Sequence, residues 1–236
     1  TQSYSASRIL IATGSVPTSL PNVEIDETRI VSSTGARALD KVPKSMVVIG
    51  AGYIGLEMGT VWSRLGTKVE VVEYLPRILP GMDLEVANKF KAMKTKQCLS
   101  FHMNTAVKSA KATKTGVTLI LADAKSHEET EMKCDMALVS VGRRPNTDGL
   151  GLEDLGVAVN ERGQIIVDED FETNIEGVFA VGDVIPGPML AHKAEEDSVA
   201  AVEIMAGQAG HVDYGLVPGI VYTCLLYTSP SPRDWM

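Results

Sequence analysis

The sequence predicts an α/β fold, and three observations carry that prediction. An apolar run, Met46-Val47-Val48-Ile49, enters the turn Gly50-Ala51-Gly52-Tyr53-Ile54-Gly55, and an amphipathic segment leaves it. A second strand-like run, Lys68 to Glu73, follows, so strand, helix and strand alternate as in a βαβ unit. Short antiparallel candidates then lead into a third buried run, Met136 to Val141.

The elements are expected in this order. Ser7 to Ala12 is a short buried strand running into Thr13-Gly14-Ser15 and a Pro-rich turn, Pro17 to Pro21. Val31 to Leu39 is a short helix or loop, and Pro43 introduces the strand Met46 to Ile49. The next helix carries Ile54, Met58, Val61 and Leu65 along one stripe, with Gly66 as its cap. A helix from Asp83 to Lys96 follows Pro76 and Pro80, and Asp83 and Glu85 suit the positive end of its dipole. Val107 to Ala112, Val117 to Ala122 and Glu131 to Lys133 form a small antiparallel group. Beyond Pro145-Asn146 come glycine-rich loops, a buried strand Val178 to Val181 ending at Gly182-Asp183, and a helix from Met189 to Met205 that stops before Gly207. The tail CLLYTSPSPRD, Cys224 to Asp234, fits nothing before it; it reads as a translated sequencing adapter, so residues 224–236 are taken as a non-native tail.

The chemistry centres on the glycine turn. Gly50 permits the tight turn, Gly52 lets the backbone approach a pyrophosphate, and Gly55 allows close helix–strand packing. The helix start adds free N–H groups and partial positive charge. Glycine spacing alone is a weak signal. Glu73 strengthens it, standing 23 residues after Gly50, where an acid meets a ribose 2′-hydroxyl.

Composition narrows the classes. The 236 residues suffice for one large or two ordinary domains, and 44% are hydrophobic, enough for a sizeable core. The net charge of −8 and the absence of a basic run argue against a nucleic-acid partner. No segment has the length of a membrane span, no signal peptide opens the chain, and the missing initiator Met suggests an upstream part. Cys98, Cys134 and Cys224 form neither a disulfide framework nor a metal-ligand spacing, so they are expected to be buried, inert thiols in a reducing compartment. His102, His127 and His211 show no partner spacing.

Four motifs in order carry a family resemblance: Ala12-Thr13-Gly14, the Gly50 turn, Val141-Gly142-Arg143-Arg144-Pro145-Asn146, and Thr173 with Phe179-Ala180-Val181-Gly182-Asp183. Together they resemble the two-dinucleotide flavoprotein disulfide reductases of the pyridine nucleotide-disulfide oxidoreductase family, class I. The run from Pro186 to Glu195 is most similar to the dihydrolipoamide dehydrogenase branch. The resemblance covers residues 5–223 and implies a Rossmann-like NAD domain inserted in an FAD domain, here as an incomplete, internal fragment. It implies FAD-domain pieces at 1–30 and 148–218, an NAD domain at 31–147, and the start of a dimerisation domain at 219–223.

Site residues follow from the same resemblance. NAD would meet Gly50, Gly52, Tyr53, Ile54, Gly55, Glu57, Glu73, Val107 and Gly142. FAD would meet Thr13, Gly14, Asp183, Met189, Leu190, Ala191 and His192. Glu57 would face the nicotinamide, against the alternative of a solvated helix carboxylate. Asp183 would take a ribityl hydroxyl, against a simple turn-forming role. His192 is either a positioning residue or a satisfied structural histidine, and Arg143 and Arg144 are partly structural or a solvated charge pair. Glu73 favours NAD over NADP, because a carboxylate repels a 2′-phosphate. No catalytic residue lies within the chain, since the redox-active C-x4-C and the His–Glu base of the family fall outside it. The implied parent is a homodimer that oxidises lipoyl domains of 2-oxo acid dehydrogenase complexes, in the mitochondrial matrix of a eukaryote or the cytoplasm of a bacterium. Rival readings are a glutathione-type, mercuric or transhydrogenase flavoprotein, or a non-catalytic nucleotide-binding module.

Overall fold

The computed structural model describes residues 2–223, so the expected non-native tail and Cys224 lie outside the described residues. In chain order the strands and helices are β1 (Ile9–Ile11), β2 (Ser15–Pro17), β3 (Ile30–Val31), α1 (Ser33–Ala36), β4 (Ser45–Ile49), α2 (Tyr53–Arg64), β5 (Lys68–Val72) and α3 (Leu84–Lys96). They continue as β6 (Leu99–His102), β7 (Thr105–Ala112), β8 (Val117–Asp123), β9 (Glu129–Cys134), β10 (Met136–Val139), β11 (Arg143–Pro145), α4 (Leu152–Leu155), β12 (Val178–Ala180) and α5 (Ala191–Met205). The described residues divide into two compact units, one of residues 2–18 with 142–219, the other of residues 19–141 with 220–223.

The unit that begins at Ser19 is built on a five-stranded sheet in the order β3-β10-β4-β5-β6, and each of its pairings is parallel. Strands buried on both faces need near-continuous apolar runs, and the pleat sends alternate residues to opposite sides. Met46 and Val48 accordingly join Leu56, Val69, Val71 and Leu138 in a core under the helices. Val47 and Ile49 join Leu119, Leu121 and Val139 in a second core, covered by the antiparallel meander β7-β8-β9. Because β3 pairs with β10, residues 19–30 belong to this unit, which therefore starts upstream of residue 31.

Helix α2 follows the expected stripe only in part: Met58 packs against the first core. Val61 and Leu65 are exposed, while Gly55, Leu56, Gly59, Thr60 and Trp62 are buried. Two glycines on the inner face let the helix lie close to the sheet: a methyl group at Gly55 would sit 2.2 Å from the Gly50 carbonyl oxygen. Helix α3 starts as expected, with Asp83 accepting a hydrogen bond from Val86 N.

The other unit pairs β1 with β12 in parallel and β2 with β11 antiparallel. Its core gathers Ile165, Phe171, Phe179, Val181 and Val184 with Ala200 and Ala201 of α5. A buried ion pair ties α5 to the turn after β12. Lys193 Nζ lies 2.7 Å from Asp197 Oδ2, and both side chains have 0% exposure. Asp197 Oδ2 also accepts from Gly182 N at 3.1 Å, and Lys193 Nζ donates to Gly182 O at 3.2 Å. Tyr214 donates to Asp197 Oδ1 at 2.8 Å; burial and then that carboxylate raise the phenol pKa.

The thiols depart in part from expectation. Cys134 is buried and its pKa is pushed up to about 11, chiefly by burial, but Cys98 is exposed, at a positive φ of 68° just past α3. A turn residue at a helix end has no core to enter.

Replacing Lys193 by Met would leave Asp197 as a buried charge without its cation. Urea denaturation should show a loss of about 3–5 kcal/mol in that unit's stability. For Cys134 the folded pKa lies above the ordinary value of 9.0, so the folded state holds its proton where the unfolded thiol loses it. Its contribution to stability should therefore fall between pH 9 and about 11, measured by denaturant midpoints in the wild type against Cys134→Ala.

Candidate functional site

The carboxyl ends of β4 and β10 meet at the point where the sheet order reverses, the position at which open α/β sheets bind ligands. Gly50 leaves β4 there with φ 103°, and a Cβ on it would lie 2.5 Å from the Ser140 carbonyl oxygen. Only glycine fits that crossing. Gly52 is the opposite case. Its φ is an ordinary −80°, and a Cβ would meet nothing within 4 Å. The space over Gly52 is open, and α2 begins there without a side-chain cap, so its first N–H groups point into that space.

Glu73 follows β5 and closes the loop from the side. Its Oε2 accepts from Ala51 N at 2.7 Å and its Oε1 from Leu75 N at 2.8 Å. One carboxylate thus joins the loop after β4 to the loop after β5. Sequence reasoning assigned Glu73 to a ribose and missed this bracing role, which no spacing rule encodes. An ionised carboxylate offers about four acceptor positions, so two remain for a ligand hydroxyl.

Glu57 stands one turn into α2, half-buried. Burial raises its pKa, and a hydrogen bond from Tyr222 N to Oε1, 2.8 Å long, works against that rise. Val221 packs against the first core beside it. Tyr53 and Ile54 are partly buried in the first turn of α2, directly after the Gly50–Gly52 loop, and Glu73 reaches that loop through its bond from Ala51 N. Val107 sits in β7 beside a register shift and packs against the second core. Gly142 belongs to the other unit, where its carbonyl accepts from Thr18 N at 3.0 Å.

In that other unit, Thr13 and Gly14 are fastened to Asn146. Thr13 Oγ1 donates to Asn146 O at 2.7 Å, Asn146 Nδ2 to Thr13 O at 3.1 Å, and Asn146 N to Gly14 O at 2.9 Å. Asp183 accepts from Ser15 Oγ at 2.5 Å. Met189 and Leu190 lead into α5, whose N-terminus at Leu190 and Ala191 again lacks a side-chain cap. His192 Nε2 lies 2.9 Å from the Pro218 carbonyl oxygen and so donates to it; the ring is held by the backbone. Arg144 pairs with Asp148 at 2.8 Å on the surface. His102, expected to lack a partner, sits 2.8 Å from Glu70 on the neighbouring strand.

With this geometry in place, a sequence profile for the pyridine nucleotide-disulphide oxidoreductases matches residues 1–198. The chain belongs to that family. Over 91% of its length it is 54% identical to dihydrolipoyl dehydrogenase 2, mitochondrial, of Arabidopsis thaliana, and 56% identical to leghemoglobin reductase of Vigna unguiculata. Those alignments span 42% and 41% of the relatives, so the chain covers less than half their length. Its structure is similar to LpdA of Mycobacterium tuberculosis, with a TM-score of 0.82 and 28% identity over 92% of this chain and 47% of that one. As a member of the family, the chain has a mixed α/β architecture that fits the expected fold class. Among the described residues, no helix is long and apolar enough to cross a membrane.

The two glycines of the turn make separable predictions. Gly50→Ala should destabilise the protein by about 3 kcal/mol, read as a lowered unfolding midpoint, because the new methyl meets the Ser140 carbonyl at an unfavourable φ. Gly52→Ala should leave that midpoint within about 0.5 kcal/mol of wild type.

Proposed function

We propose that this chain supplies the NAD-binding unit and part of the FAD-binding unit of a dihydrolipoamide dehydrogenase, which oxidises dihydrolipoyl groups of 2-oxo acid dehydrogenase complexes and passes hydride to NAD+. The observation that carries this reading is the open, uncapped Gly52 turn at the sheet's reversal point, braced by Glu73. The pyrophosphate of NAD would lie over Gly52 and the N–H groups of Tyr53, Ile54 and Gly55. A ribose hydroxyl would donate to Glu73, while a 2′-phosphate would be repelled. Glu57, held by the Tyr222 amide, would receive the carboxamide end.

For FAD, the residues that fit are the Asp183 carboxylate and the uncapped start of α5 at Leu190, Ala191 and His192. When bound, FAD supplies the two-electron relay between dithiol and nicotinamide. The task of this chain's residues is then to orient. Asp183 accepts a hydroxyl, and the α5 N–H groups offer partial positive charge to developing negative charge. Thr13 and Gly14 contribute backbone. Lipoyl domains as partners, a homodimeric assembly and a mitochondrial matrix location belong to the same proposal; the Arabidopsis thaliana relative above carries mitochondrial in its name.

The test is a titration followed by NADH fluorescence. NADH should bind, NADPH should bind at least about tenfold more weakly, and Glu73→Gln should narrow that gap by lowering the charge. Gly52→Ala, folded as wild type, should lose NADH binding. Equal affinity for the two nucleotides in the wild type would overturn the assignment of Glu73.

A further inference from the structure

Ser15 and Arg143 have no part in the nucleotide contacts above, yet they form the densest polar contact beside Asp183. Arg143 Nε donates to Ser15 Oγ at 2.6 Å, and Arg143 Nη2 donates to Ser15 O at 2.5 Å. Ser15 Oγ in turn donates to Asp183 Oδ2 at 2.5 Å. A hydroxyl has one proton and two lone pairs. An arginine N–H can only donate and stays charged at any ordinary pH, so it occupies a lone pair and leaves the proton for the carboxylate. The direction of the relay is therefore fixed as Arg143 to Ser15 to Asp183.

The backbone that carries Asp183 is fixed independently. Gly182, the residue before it, has its N–H on Asp197 and its C=O on Lys193, both from α5. The remaining freedom is rotation of the carboxylate, whose two oxygens are chemically equivalent until one is engaged. Among the described residues, Asp183 Oδ1 receives no hydrogen bond. Strand pairing makes the arrangement rigid, since Ser15 lies opposite Pro145 and Arg143 opposite Pro17 in the β2–β11 ladder.

We propose that Arg143 and Ser15 are positioning residues for Asp183: together they hold Oδ2 and reserve Oδ1 for a hydroxyl of the flavin cofactor. This rests on the reading of Asp183 as an FAD ligand. It also separates the two adjacent arginines, because Arg144 engages only Asp148 at the surface.

The experiment is a double-mutant cycle in the longest chain the gene encodes, stripped of flavin and titrated with FAD by quenching of flavin fluorescence. Ser15→Ala and Arg143→Met should each weaken FAD binding about tenfold, the range of one hydrogen bond to a charged group. In the Ser15→Ala background, Arg143→Met should cost no more than about a further twofold, because its effect passes through the hydroxyl. NADH affinity should stay unchanged in every variant, which excludes general misfolding. Should Arg143→Met not fold, Arg143→Lys keeps the charge, loses the fork and carries the same comparison. Additive losses would overturn the proposal by giving Arg143 its own contact with FAD. Unchanged FAD affinity with a lower melting temperature of the flavin-free protein would overturn it too, reducing the pair to a strand clip. A wild-type chain that takes up no FAD would instead overturn the reading of Asp183 itself.

Discussion

The glycine-turn edge of the five-stranded sheet depends on one carboxylate. Glu73 takes an amide proton from the loop after β4 and another from the loop after β5, at 2.7 and 2.8 Å. Hydrogen bonds to an ionised group are shorter and stronger than neutral ones, so this bracing outweighs the cost of fixing two loops. The turn is further secured by Gly50 N on Val72 O and by Leu79 N on Ala51 O. The Gly52 carbonyl accepts from Leu56 N at 3.1 Å, while the N–H groups at the start of α2 have no side-chain cap. A loop held at its flanks and left open at its centre is preorganised, and its amides need little reordering when an anion arrives.

The second unit uses the same physics with different residues. Acidic side chains again hold the backbone of a loop rather than float in solvent: Asp197 takes Gly182 N, and Lys193 covers the Gly182 carbonyl. Burying that ion pair fully would be unfavourable without its extra partners. The Gly182 amide and the Tyr214 hydroxyl supply them, one to each Asp197 oxygen. The pair therefore acts as a local anchor for the turn bearing Asp183, and the Ser15–Arg143 contact sets the side chain on that anchored turn.

Much of this was legible in the sequence, for reasons that also explain the rest. The apolar run Met46 to Ile49 and the glycines at 50, 52 and 55 gave the βαβ unit, because turn chemistry and strand burial are local demands. The Ile54-Met58-Val61-Leu65 stripe misjudged the inner face of α2, since a stripe counts apolar side chains and ignores glycine. Gly55 and Gly59 pack precisely because they lack one: a Cβ at Gly59 would already touch Val48 and Val69 at 3.4 Å. Partners fixed by strand register were equally hidden. His102 finds Glu70 only once β5 and β6 are aligned, and Ser15 finds Arg143 only across the β2–β11 ladder. Sequence spacing carries no register for strands whose paired residues stand 32 or 128 positions apart, as these do.

That ladder also explains how one unit can interrupt the other. The chain leaves β2 at Thr18 and returns at Gly142, and Thr18 N donates to Gly142 O at 3.0 Å. Exit and re-entry are thus adjacent in the interrupted unit, held by the pairing of β2 with β11. An insertion whose ends lie side by side imposes almost no strain on its host, whatever its length, because loop-closure cost grows only with the logarithm of length. The segment between can then be a complete sheet with two cores of its own. The cost falls on the junction, where Arg143, one residue past the re-entry, must serve the ladder and the Ser15–Asp183 contact together. The family motif that spans Gly142 to Asn146 is therefore the seam of the fold, with Gly142 closing the insertion, Arg143 setting Asp183, and Asn146 fastening Thr13 and Gly14.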